Sequence, residues 1–325
     1  MRRFLKYALA VLALPMLASA ALAICALPHT LPTKPLLGGT IERGTLQYSG
    51  RERTWIAYVP ARLAEHPALV VALHGSMGTG EQVRKAYGYD FDELADRHGF
   101  VVVYPQGYRG HWNDCRTAAP YAARRENIDD TGFLHALVGK LVAQHAIDAT
   151  HVFVTGVSNG GSMTLCLALQ TPDFARAYAA VVASVPAPAN MKGTPKGQPV
   201  SVTLMNGTDD PIVPWNGGDV VFWPVLANRG PVLSAQASID YFRGLAGLDA
   251  APRTTRFDDR DTSDGSIVER ALWSAPGKRQ VALYTVRGGG HGVPHPATFG
   301  PRLLGHTNRD VHAAYEIWDF FQSAP

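Results

Sequence analysis

Gly156-Val157-Ser158-Asn159-Gly160 lies between an apolar run, His151 to Thr155, and a helix-like stretch, Ser162 to Leu169. A tight strand-to-helix turn leaves no room for side chains two positions before and after the serine. It lifts the hydroxyl above the sheet and puts the next amide at a helix N-terminus. An ordinary glycine turn has the same composition, so the spacing gains meaning only from partners for the serine. A neutral hydroxyl needs a base to take its proton, and the base needs a carboxylate to fix its tautomer.

Both partners have candidates after later apolar runs. Asn206 to Pro214 carries Asp209 and Asp210 in the loop after Ser201–Met205. Asp210 is the expected acid, because Pro211 holds the backbone before it extended. Asp209 is expected to make a local Asx turn. Gly288-Gly289-Gly290-His291 follows the run Val281 to Val286, and His291 is the expected base, with His295 the alternative. The two histidines mimic a metal pair at i and i+4, but Pro294 breaks the helix such ligation uses, so no metal is expected. The charge that develops on a carbonyl oxygen under attack calls for two amide donors. The N–H groups of Asn159 and of Ser76, in Leu73-His74-Gly75-Ser76, are the candidates. Trp112 and Trp215 are candidate walls of a substrate pocket, and Asp129 and Asp130 are read as helix caps. This chemistry requires no cofactor.

The elements that must position these residues are legible as texture. Ala68 to Leu73 and Phe100 to Tyr104 are short, valine-rich and continuously apolar, as strands covered on both faces are. Helix-like stretches at Asp92–Asp96 and Gly132–Gln144 alternate with further strand candidates at Val152–Thr155, Ser201–Met205 and Val281–Val286. The chain closes on a helix-like Val311–Phe321. Thr45–Tyr48 and Thr54–Val59 flank a turn and predict an antiparallel hairpin at the start. The expected fold class is therefore α/β, with a mostly parallel, doubly wound sheet and an antiparallel N-terminal hairpin.

Of the 325 residues, 46% are hydrophobic and 18% charged, a composition that supports a full core. Arg2, Arg3 and Lys6 precede an apolar run to Leu17 and the small-residue triplets 18–20 and 21–23. Residues 1–23 are therefore expected to be a secretory signal peptide, an uncleaved anchor being the alternative. Residues 24–43 are expected to form an extended lead-in, and 44–325 a single catalytic domain, secreted or periplasmic. Losing three basic residues and no acidic one takes the formal charge from +3 to zero, so nucleic-acid binding is not expected, and once the signal peptide is cleaved no stable membrane insertion is expected. Cys25, Cys115 and Cys166 allow three pairings in an oxidising compartment, with Cys115 to Cys166 preferred.

Taken together, LHG at 73–75, YPQG at 104–107, HWNDC at 111–115, DDTGF at 129–133, TGVSNGG at 155–161, NGTDDPIVP at 206–214 and GGGH at 288–291 resemble the feruloyl esterase and polyhydroxybutyrate depolymerase group. The likeness runs from about Gly44 to the C-terminus. It implies the α/β-hydrolase fold and hydrolysis of small or oligomeric carboxylic esters, feruloyl-type or short hydroxyalkanoate, through an acyl-enzyme. Ser158, Asp210 and His291 match the catalytic positions, and the stretch after His74-Gly75 matches the oxyanion loop. Val293-Pro294-His295 stands where feruloyl-type relatives often carry an aromatic residue. A serine peptidase or an acyltransferase shares this fold and triad, and a silent binding protein is the alternative of another class.

Overall fold

The computed structural model describes residues 33–222, 227–298 and 300–325. The expected signal peptide and Cys25 lie outside them. Ten strands form one sheet in the order β1-β2-β4-β3-β5-β6-β7-β12-β11-β10, where β1 is Thr40–Tyr48, β2 Arg51–Val59, β3 Leu69–Leu73, β4 Val101–Pro105, β5 Val152–Val157, β6 Ala177–Val181, β7 Ser201–Gly207, β10 Arg253–Arg256, β11 Ile267–Trp273 and β12 Val281–Arg287. The block from β4 to β12 is parallel, and antiparallel strands flank it at both ends. The opening hairpin is longer than the sequence suggests: β1 starts at Thr40, inside the expected lead-in, and pairs as far as Thr40 with Val59. Pairing along the whole of β2 outweighs the weak local pattern of residues 40–43.

Side-chain alternation divides the core into two layers. Leu69, Val71 and Leu73 face one layer with Val154. There they meet Phe133, Leu137 and Leu141 of α4 (Asp130–His145), the helix α5 (Asn159–Gln170), and Ile239 and Phe242 of α6 (Ala235–Ala246). Val70, Ala72 and Phe153 face the other layer, against Val83 of α1 (Gly80–Ala86), Phe91 and Leu94 of α2 (Asp90–His98), and Trp318 and Phe321 of α7 (Ala313–Gln322). A short α3 (Ala122–Arg125) lies in the connection before α4. Burial on both faces is why β3 and β4 read as unbroken apolar runs, each such side chain stabilising the fold by about 1.5–3 kcal/mol.

The sheet order reverses direction between β3 and β5, since β4 lies beyond β3 while β6 and β7 follow beyond β5. Loops at the carboxyl ends of strands beside such a switch form a natural crevice. A separate hairpin, β8 (Gly218–Val221) with β9 (Asn228–Val232), folds over this end. Its Val220 and Val232 pack on Ile212 and Val213 of the loop after β7.

Candidate active site

The turn after β5 is built around steric exclusion. A Cβ on Gly156 would lie 2.3 Å from the Gly160 carbonyl oxygen, and one on Gly160 would lie 2.3 Å from the Leu73 carbonyl oxygen. Ser158 between them has φ 55° and ψ −115°, left-handed backbone that costs a non-glycine residue roughly 1–3 kcal/mol. The surroundings hold it there: its amide donates to the Val181 carbonyl at 2.9 Å, and its own carbonyl accepts from Ser162 N–H at 2.7 Å. The side chain stands at the N-terminus of α5 and at the switch between β3 and β5.

His291 reaches the same point from the loop after β12. Gly290, packed so closely that a Cβ would lie 2.1 Å from the Leu304 carbonyl oxygen, lets this loop lie against residues 304–306. The His291 amide donates to that same carbonyl at 2.6 Å. The imidazole Nδ1 is 2.7 Å from Asp210 Oδ2, and Nε2 is 2.9 Å from Ser158 Oγ. A proton on Nδ1 shared with the carboxylate leaves the Nε2 lone pair to accept the serine proton. Asp210 is nearly fully buried, and its Oδ1 accepts from the amides of Ile212 at 2.8 Å and Val213 at 2.9 Å. The Asx turn expected of Asp209 is thus made by Asp210 itself, which fixes the oxygen facing His291. Asp209 is exposed and accepts from Thr208 Oγ1.

Gly75 lies beside the serine, where a Cβ would make ordinary contact with Ser158 Cβ at 3.5 Å. The amides of Ser76 and Asn159 donate to no protein acceptor among the described residues, so two N–H groups beside the serine are available to a ligand oxygen. His74 shapes this loop. Its Nδ1 lies 2.7 Å from the Gly75 carbonyl and its Nε2 accepts from Gly107 N–H at 2.9 Å, which defines a neutral ring. Burial lowers its pKa to about 4.

A buried polar network carries Asn159. Its Oδ1 accepts from Trp112 N–H at 2.8 Å, and its Nδ2 donates to Asp114 Oδ2 at 2.6 Å. Asp114 also pairs with the Arg116 guanidinium, the closest contact being 2.6 Å. Between these two residues, Cys115 is bridged to Cys166 of α5. Closing a 51-residue separation in this way stabilises the fold by about 4 kcal/mol in the chain-entropy picture. The segment 111–116 is therefore clamped to the helix that begins at the nucleophile turn.

Residues 54–188 match the family described as esterase PHB depolymerase. The chain is 28% identical over 298 residues to a protein named as an esterase, NocK, from Nocardia uniformis subsp. tsuyamanensis, covering 88% of this chain and 84% of NocK. It is 28% identical over 293 residues to poly(3-hydroxyalkanoate) depolymerase C of Paucimonas lemoignei, covering 81% of this chain and 65% of the depolymerase. The acetyl xylan esterase of Aspergillus awamori superposes with a TM-score of 0.55 at 19% identity, over 87% of this chain and 99% of that one. This chain is a carboxylic ester hydrolase. It has the α/β-hydrolase fold and resembles the polyhydroxybutyrate depolymerase and feruloyl esterase group.

The remaining candidates of this hydrolase occupy other places. Trp112, expected in the pocket wall, is fully buried, its indole N–H donating to the His74 carbonyl at 2.9 Å. An indole with that bond satisfied beneath the loop is an anchor for it and does not line the cleft. Trp215 is half-buried, packs against the core layer of α6 and also lies outside the cleft lining. Asp129 does cap α4, accepting from Gly132 N–H at 2.8 Å. Asp130 does not act as a cap: it is buried in an ion pair with Arg53 at 2.6 Å and accepts from Asn113 N–H at 2.7 Å. Burial pushes its carboxyl up in pKa against the pull of Arg53. His295 lies with Asp90 and His312, the one three-group cluster among the described residues with metal-like spacing. Its Nδ1 accepts from Ala297 N–H at 3.1 Å, so Nε2 carries the proton toward Asp90 and has no lone pair to give an ion.

A cleft of about 460 Å³ opens at Ser158 and His291. Its walls are mostly apolar, with Met77, Ile212, Val213, Phe222 and Leu304 among them, and it also receives Tyr121, Arg116 and Arg229. Sequence reading missed these last three. Arg116 adjoins HWNDC and was within reach of that motif, whereas Arg229 carries no local signal.

Proposed function

We propose that this chain is an exported serine esterase in which Ser158 is the nucleophile, His291 the general base and acid, and Asp210 the residue that orients the imidazole and stabilises the imidazolium formed when the serine proton arrives. The observation that carries the reading is the unbroken contact from Asp210 Oδ2 through both ring nitrogens of His291 to Ser158 Oγ, at 2.7 and 2.9 Å. Ser158 attacks the ester carbonyl as its proton passes to Nε2, and the Ser76 and Asn159 amides receive the oxyanion. Collapse of the tetrahedral species returns the proton to the leaving alcohol. Water, deprotonated by the same imidazole, then releases the acid and restores the serine. The free amides of Ser76 and Asn159 support the oxyanion role.

Feruloyl-type or short hydroxyalkanoate esters are the proposed substrates. The apolar cleft supports this, as do relatives named for poly(3-hydroxyalkanoate) and acetyl xylan. Residues 44–325 would act as one catalytic domain. Export is supported by the leader pattern of residues 1–23 and by the bond between Cys115 and Cys166. Among the described residues no helix is long and apolar enough to cross a membrane.

Replacing Ser158 by Ala tests the reading. kcat is expected to fall by about 10⁵-fold with the circular dichroism spectrum unchanged. Near-normal hydrolysis would overturn it. Relative kcat/KM over p-nitrophenyl esters, methyl ferulate and hydroxybutyrate oligomers then ranks the substrates.

A further inference from the structure

Arg229, on β9 of the hairpin that folds over the cleft, is only 8% exposed and lines the cleft. Among the described residues its guanidinium has no ion pair and no hydrogen bond, and its Nε is buried without a partner. The residues outside the description, 1–32, 223–226 and 299, contain no Asp or Glu. No carboxylate of this chain therefore forms an ion pair with it. The other buried cation of the same wall provides the contrast: Arg116 is held by Asp114, whose remaining capacity goes to Asn159. A buried charge without a counter-charge is strongly disfavoured, and among the described residues the ring faces of Tyr121 at 5.5 Å and Phe222 at 5.7 Å offset it. Tyr121 also adjoins the loop of the proposed oxyanion donor, its hydroxyl 3.0 Å from Ser76 Oγ.

We propose that Arg229 is a specificity-determining residue that receives a carboxylate borne by the substrate at a distance from the scissile ester. The proposal rests on Ser158 as the nucleophile of this cleft and narrows its substrate class to esters carrying an anion. A planar guanidinium with free N–H groups matches a carboxylate in two parallel hydrogen bonds, and exclusion of water strengthens them. The apolar walls take the carbon chain between the two groups. The carboxylate can belong to the acyl part, as in a half-ester of a dicarboxylic acid. It can equally belong to the alcohol part, as in a hydroxyacid oligomer with a free acid end.

Two matched pairs of esters separate these sources. The acyl pair is the p-nitrophenyl half-ester of glutaric acid and its glutaramate; the alcohol pair is O-butyryl-3-hydroxybutyrate and its amide. Wild-type enzyme is expected to prefer the free acid over the amide by about tenfold or more in at least one pair. Arg229→Gln should lower kcat/KM for that acid by roughly 30- to 100-fold and leave the amide within about threefold, with Arg229→Lys in between. An acid-to-amide ratio near one in both pairs, or a ratio that Arg229→Gln does not change, overturns the proposal. Turnover of neutral amides without acid preference sinks the anion site alone, whereas turnover of none of the four esters sinks the nucleophile reading and this proposal with it. If Arg229→Gln does not fold, inhibition of wild-type p-nitrophenyl acetate hydrolysis decides: glutarate should compete and glutaramide should not. Equal inhibition by the two overturns the proposal.

Discussion

Removing the Asp114 carboxylate should damage stability and catalysis through a single cause. In the folded chain Asp114 and Arg116 are 1% and 3% exposed. The carboxylate accepts from Arg116 Nε at 3.1 Å, Arg116 Nη2 at 2.6 Å, the Arg116 amide at 2.9 Å and Asn159 Nδ2 at 2.6 Å. Asp114→Ala leaves a buried guanidinium unpaired, at a cost of about 3–5 kcal/mol. It also strands the Asn159 amide, for about 1 kcal/mol more. A total near 4–6 kcal/mol is a large part of the roughly 5–15 kcal/mol that holds a domain together. If the unpaired charge is the main cost, removing it as well must recover most of the loss. Asp114→Ala with Arg116→Met should lie about 2–3 kcal/mol above the single variant. Urea denaturation under non-reducing conditions at neutral pH measures both, and kcat on a neutral ester should fall about tenfold in either variant as Asn159 loosens. A single variant within 1 kcal/mol of wild type, or a double variant no more stable than the single, would refute the reasoning.

Two further outcomes follow from the same geometry. Gly160→Ala puts a methyl 2.3 Å from the Leu73 carbonyl oxygen and 2.6 Å from that of His74, both backbone, so neither can turn aside. kcat should drop about 100-fold or more and stability by about 1–3 kcal/mol, read by ester assay and urea melt; an active, stable variant would contradict the packing argument. His74, with its pKa lowered to about 4 by burial, takes up its proton in the unfolded chain near the ordinary 6.5. The unfolded state therefore binds more protons between these values. Stability is complete above about pH 6.5 and is lost as pH falls toward 4, by about 3 kcal/mol for this residue. His74→Gln should flatten that part of the pH–stability curve, and an unchanged slope would count against a neutral buried ring.

The parts of the fold that can be read from the chain are those whose environment is uniform. β3, β4 and β12 lie in fully or almost fully buried surroundings and read as apolar runs, and the elbow glycines are required by contacts within a few residues. Ala177–Val181 is just as buried, but its small alanines carry little strand signal. β10, at the sheet edge, and β11 beside it mix polar and apolar positions and give no clear period. Ser158, Asp210 and His291 were legible because each follows a readable strand within a few residues. Trp112 shows the limit of that logic: a tryptophan in a motif-bearing loop has the same sequence signal whether its ring faces substrate or supports the loop. Arg229 was invisible because its meaning depends on the absence of a partner, which only the folded arrangement of Tyr121, Phe222 and the hairpin reveals.

A fluorophosphonate probe with mass spectrometric mapping tests the central claim most directly, because it reacts with a serine only when a base activates it beside oxyanion donors. One equivalent should attach to Ser158 with loss of ester hydrolysis in proportion, and His291→Ala should slow the labelling by several orders of magnitude. Ester hydrolysis that continues with Ser158 unlabelled, or a label that maps to another residue, would contradict the account.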